Sequence, residues 1–147
     1  PTVYSSVSNT PVSGKLDILA PASVVTETLE FGKTLDVSQM QIGIDASAVT
    51  WIDSAIINVS ISDEQGAEIY AGSVPANAVG VGLASFRTGD LVFNAGSTYT
   101  VRVTSAQSEG EPAYVQINPA QDRFPTTENG KLVDGDLVMV LKGTERG

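Results

Sequence analysis

Between Thr98 and Thr104 the chain places Tyr99, Val101 and Val103 at every second position, with Thr98, Thr100, Arg102 and Thr104 between them. Period two is the rhythm of a β-strand, because successive side chains leave opposite faces of the pleat. One set is expected in a core and the other toward water. The run from Ile57 to Ser62 repeats the pattern, with Ile57, Val59 and Ile61 on one face and Asn58, Ser60 and Ser62 on the other. After it, Asp63-Glu64-Gln65-Gly66 reads as a hairpin loop whose glycine supplies a positive φ.

Val, Ile and Thr dominate, and Gly or Pro punctuates the chain at short intervals. This predicts strands over Lys15–Leu19, Glu27–Phe31, Met40–Ile44, Ala55–Ser62, Ala67–Ala71, Leu83–Arg87, Leu91–Phe93, Thr98–Thr104, Ala113–Asn118 and Asp136–Lys142. Asp45–Asp53 has room for one helical turn, but no window sustains a 3.6-residue period. Gly72–Gly82 is expected to be the long loop, and Pro119–Gly135, with two prolines and Asn129-Gly130, an irregular arm. The fold class is all-β, an antiparallel β-sandwich of jelly-roll type with some eight to ten strands. The expected organisation is an N-terminal arm over residues 1–14 and one domain over residues 15–147. The last strand is apolar on both faces: Leu137, Met139 and Leu141 on one, Val138 and Val140 on the other. Such a strand is either central and covered on both sides, which is the expectation, or carries an interface.

Composition narrows the chemistry. The 147 residues suit one domain, and no apolar run reaches the roughly 18 residues that cross a bilayer. The net charge is −9. Residues 1–86 hold nine acids against Lys15 and Lys33. Phosphate backbones need clustered cations, so nucleic acid and anionic membrane surfaces are poor partners, and the acidity serves solubility. Cysteine and histidine are both absent. That removes disulfides, a thiolate nucleophile, the usual general base and the commonest metal ligand. The opening Pro-Thr-Val-Tyr-Ser-Ser-Val has neither the basic nor the apolar region of a signal peptide, and a small residue after an initiator Met favours its removal. The expectation is a product of the cytoplasm; the alternative is a fragment of a longer secreted or surface protein.

The order of features resembles a known kind of module. Thr26-to-Ile44, "TETLEFGKTLDVSQMQIGI", resembles a jelly-roll opening in which an exposed strand leads to a core-facing aromatic. Ile57-to-Gly72, "INVSISDEQGAEIYAG", resembles its central hairpin, and Leu91-to-Ser105, "LVFNAGSTYTVRVTS", its apolar strand, corner and Thr-Tyr-Thr strand. The close resembles "AYVQI…DRFPTTENGKLVDGDLVMVL". Such modules are similar to carbohydrate-binding jelly rolls and to bacteriophage and phage-like virion proteins. The resemblance implies a virion structural protein, a capsid decoration, spike or tail appendage made in the host cytoplasm. Its partners would be copies of itself, other virion proteins and host surface polysaccharide. The alternative it implies is a carbohydrate-binding module.

Candidate sites follow from residue type. A sugar face wants an exposed aromatic with planar polar groups beside it, for which the pieces are Trp51, Tyr70, Tyr114, Asp122 and Arg123, with Tyr70 and Tyr114 on the outward faces of their strands. A hard cation such as Ca²⁺ would use Asp134 and Asp136 in Val-Asp-Gly-Asp-Leu, or Asp63 and Glu64; turn-forming Asp beside Gly competes with that reading. No other cofactor is expected. Serines lack a histidine to activate them, no Ser-x-x-Lys occurs, and a glycosidase-like carboxylate pair has no sequence signature, so no catalytic residue is expected.

Overall fold

The computed structural model describes residues 1–7, 24–46, 56–75, 79–106 and 114–146. The described chain is built from strands: β1 (Thr2–Ser5), β2 (Val25–Glu30), β3 (Leu35–Asp45), β4 (Ile56–Ser62), β5 (Glu68–Pro75), β6 (Val81–Phe93) and β7 (Thr98–Ala106). Then come the short β8 (Tyr114–Val115), β9 (Ile117–Asn118), β10 (Thr126–Glu128), β11 (Lys131–Leu132) and β12 (Asp136–Leu137), and finally β13 (Met139–Glu145).

All pairings are antiparallel. One sheet runs β1-β13-β3-β6, with β8 also on β3; the other runs β11-β10-β2-β7-β4-β5; β9 and β12 form a separate pair. The pairs β1·β13, β2·β7, β3·β6 and β4·β5 nest inside one another, as when a long hairpin is rolled up so that its pairs alternate between two sheets. That is the jelly roll.

Alternation is what places the core. Val59 and Ile61 lie opposite Val103 and Val101 of the neighbouring strand and Ile57 opposite Ser105, all buried, as their period-two pattern requires. From the opposite sheet come Leu35, Val37, Met40, Ile42, Phe86 and Phe93. Burying each of the larger side chains contributes roughly 1.5–3 kcal/mol. The expected last strand is split at Val138 into β12 and β13, but its burial on both faces agrees. β13 lies between β1 and β3, and Val138 and Val140 are as buried as Leu137, Met139 and Leu141. It is the covered central strand.

Several expectations change. Thr2–Ser5 of the expected arm is a strand, because Tyr4 turns into the core and the segment completes the edge beside β13. Leu83–Arg87 and Leu91–Phe93 are one strand, interrupted by a bulge opposite Val37 and Gln39 at which Gly89 takes φ 67°. Gly72–Pro75 continues β5 and Val81–Gly82 begins β6, so much of the expected long loop is ladder. Pro119–Gly135 contains the β10–β11 hairpin. Ala113–Asn118 breaks into β8 and β9 at Gln116. Lys15–Leu19 and nearly all of the proposed helical turn after Asp45 lie outside the described residues.

A second bulge, between Lys142 and Gly143, lets β13 stay on β3 to its end. There Gly143 lies against the Asp36 carbonyl so closely that a Cβ would overlap it. Backbone on the facing strand has little room to yield. Gly143→Ala is therefore expected to destabilise the fold by about 1–3 kcal/mol, measured as a lower urea midpoint at unchanged slope.

Candidate functional site

Polar groups gather where the two sheets meet at β12. β12 leaves its partner β9 at Leu137, and β13 joins β3 at Met139, so the ladder is interrupted between them. Leu137, Val138 and Met139 are all buried, and each of their backbone groups needs a partner away from water. The Val138 amide donates to the Gln116 carbonyl at 2.9 Å, and its carbonyl accepts the Gly43 amide at 2.8 Å. Side chains supply the rest. The Leu137 amide donates to Glu27 Oε1 at 2.9 Å, and the Leu137 carbonyl accepts the Ser6 hydroxyl at 2.7 Å. The Met139 amide donates to that same Ser6 Oγ at 2.8 Å, while the Ser6 amide donates to the Met139 carbonyl at 2.9 Å.

Glu27 is fully buried, on the inner face of β2 between Val25 and Leu29. Its Oε1 also accepts the Thr126 hydroxyl at 2.9 Å, and its Oε2 has no partner. Burial pushes the carboxyl up to about 8; the bonds from Thr126 and Leu137 pull the other way, and the charge of Asp136 adds to the rise. Asp136, also fully buried, accepts the amides of Arg123 (3.1 Å) and Phe124 (3.0 Å) and the Gln121 side-chain amide (3.2 Å). Gln121 also donates to the Tyr4 hydroxyl at 2.9 Å. Burial, with Glu27 and Asp136 nearby, raises the Tyr4 phenol well above its ordinary range. Asn118 closes the set by donating to the Ser6 carbonyl at 3.0 Å. The carboxylates thus hold chain segments together. What they can do chemically is accept hydrogen bonds from backbone that the sheets leave unpaired.

The sequence candidates fall apart in space. Trp51 lies outside the described residues. Tyr70 is not on an outward face: half-buried, it packs against the core on the side of β5 that faces Phe86. Its phenol is raised by burial. Tyr114 is half-buried in β8 and Asp122 is exposed. The Arg123 guanidinium sits 4.8 Å from the Phe124 ring centre, 5.7 Å from Phe31 and 5.8 Å from Tyr4, roofing an aromatic cluster instead of flanking a sugar platform. Asp134 is exposed while Asp136 turns inward, so the suggested calcium pair does not converge. The Asp63 Oδ1 caps its own turn by accepting the amides of Gln65 and Ala67, and Glu64 accepts the Thr98 amide. Among the described residues no group of three or more potential metal ligands occurs, and no helix is long and apolar enough to cross a membrane.

Sequence reasoning missed Glu27, Ser6 and Thr126. A signal existed for Glu27, since an acid at the middle of Val25-x-Glu27-x-Leu29 occupies an apolar position of an alternating strand.

No protein-family model matches the chain, and no curated protein matches it in sequence. Among solved structures it is similar to the T13 IBDV viral particle, with TM-score 0.41 and 10% identity over 97% of this chain and 38% of the other. The T=1 particles derived from infectious bursal virus give 0.39 and 12% over 94% and 37%. The VP2 subviral particle of infectious bursal disease virus gives 0.36 and 12% over 97% and 41%. The chain therefore spans about two fifths of the length of these proteins. It is the strand pairing, not these loose likenesses, that establishes the jelly roll.

Two variants test the buried carboxyl. A folded-state value above the unfolded one means the native protein holds the extra proton. Its stability is then full below about pH 4.5 and declines as pH rises toward about 8. Glu27→Gln keeps an acceptor for Leu137 and Thr126 without a titrating proton. It is expected to flatten the fall in thermal midpoint between pH 5 and pH 8 that the parent shows. Glu27→Ala strands both donors and opens a cavity, and is expected to cost about 2–4 kcal/mol at pH 5 by urea denaturation.

Proposed function

We propose that this chain is a non-enzymatic structural protein of a virus particle, of the bacteriophage or phage-like kind, acting through contacts with copies of itself or other particle proteins. The observation that carries the reading is where apolar surface is spent. Tyr4, Phe31, Phe93, Tyr99 and Phe124 stack against one another inside the fold. The large apolar side chains left outside include Ile69 on β5, Val81 and Leu83 on β6 and Leu132 on β11, the strands that end the two sheets. Exposed apolar groups on sheet edges suit pairing with another chain. A sequence without His or Cys supports the same reading, because it lacks the side chains most often used for acid–base and nucleophilic chemistry.

Mass spectrometry and immunogold imaging of particles sedimented from cells that make this chain test the reading. The expected result is co-sedimentation in a fixed ratio to the other particle proteins. Absence from particles, together with glycan-array binding that Tyr114→Ala abolishes, would replace it with a carbohydrate-binding module.

A further inference from the structure

The six-stranded sheet ends differently on its two sides. At one side is the β10–β11 hairpin, closed by Asn129 (φ 50°) and Gly130 (φ 86°), the two positive values of a tight two-residue turn. The tip is fixed to the body, since the Val24 amide donates to Asn129 Oδ1 and the Asn129 amide to the Val24 carbonyl, both at 2.8 Å. On this anchored hairpin Leu132 is 75% exposed, the most of any large apolar side chain described, and Lys131 beside it is exposed too. No described strand pairs the outer side of β11.

The opposite side of the sheet is β5, eight residues long and likewise unpaired on its outer side among the described residues. Next to it a groove of about 530 Å³ is lined by Asp63, Glu64, Ile69, Asp90, Leu91 and Tyr99. Ile69, 38% exposed, faces this groove, whereas Glu68 borders the outer face of the sheet with Ser60 and Arg102. Each edge therefore offers an apolar group and a charge side by side: Leu132 with Lys131, and Ile69 with Glu68. Through Thr127, Thr26 and Arg102, Leu132 shares the outer face of the sheet with Glu68, so a parallel addition, which turns the neighbouring copy over, is the one that sets Leu132 on the groove side and Lys131 beside Glu68.

We propose that β11 of one copy docks on β5 of the next, with Leu132 entering the groove beside Ile69 and Lys131 facing Glu68. The contact deepens the assembly reading and rests on it. It joins two different surfaces, so repetition gives a ring if the rotation closes and a filament if it does not. Continuity of one sheet across copies satisfies the edge groups of β11 and those of β5 that lie opposite it. The pairing of Lys131 with Glu68 gives a chain of net charge −9 a local attraction between copies.

The test uses the full chain in sedimentation velocity over rising concentration, with Leu132→Asp and Ile69→Asp, both at exposed positions. The expected result is concentration-dependent association of the parent that each variant weakens at least tenfold. Circular dichroism is expected to be unchanged. Mixing the two variants restores one intact junction, Leu132 of the Ile69→Asp chain on the groove of the Leu132→Asp chain, so the mixture is expected to stop at dimers. A parent that associates while both variants associate equally well, or a mixture that stays monomeric, overturns the junction but leaves assembly through another surface standing. A parent that is monomeric at the highest concentrations overturns the junction; if the chain is also absent from particles, the assembly reading falls with it.

Discussion

The structure turns on three consecutive buried residues whose backbone groups the strand ladders pair only in part. Leu137, Val138 and Met139 carry the chain from the β9–β12 pair into the central strand β13 while buried on all sides. Unpaired amides and carbonyls there would each cost about 1–3 kcal/mol. Glu27 reaches from the facing sheet to one amide, and a single hydroxyl, Ser6, serves both a carbonyl and an amide. Strands far apart in sequence thereby meet: β1, β2, β10 and β13 are linked by bonds spanning 99 to 133 residues. Without those side chains the buried backbone groups of Leu137 and the Met139 amide would lose these partners.

A cost comes with the choice of a carboxyl. Glutamine would accept the same two hydrogen bonds without a titrating group, whereas Glu27 trades stability for sensitivity to pH through the neutral range. Asp136 is buried as deeply but accepts three donors, two of them backbone amides. Glu27 has an oxygen with no partner, and Asp136 has both oxygens engaged. The proton that Glu27 holds is thus buried between the sheets instead of on the surface.

The fold was legible in the chain because strand alternation is a local signal. Tyr99, Val101 and Val103 announce their face without reference to any other segment, and so do Ile57, Val59 and Ile61. The two-faced apolar run at Leu137–Leu141 likewise announces burial on both faces, though it spans the step from β12 into the central strand β13. What did not show was anything decided by distant partners. Thr2–Ser5 is too short to alternate convincingly and becomes a strand because β13 offers it an edge. Asp136 looks like any aspartate beside a glycine until the Arg123 and Phe124 amides turn toward it. Tyr70 reads as an outward ring until the opposite sheet brings Phe86 beneath β5.

The same limit separates core from surface. Interior positions are over-determined, since pattern, packing and hydrogen bonding agree on them. The edges are determined by what the chain leaves unfinished. β1 is four residues long and β8 two, so little of that side is open to another strand, while β5 and β6 run for eight and thirteen residues. Long open edges are ordinarily blunted by lysine, proline or inward charge. Here β5 has Glu68 at its start, Pro75 at its end and a bulge at the exposed Ile69. Asp63, Glu64 and Asp90 line the groove beside it and repel surfaces of the same sign.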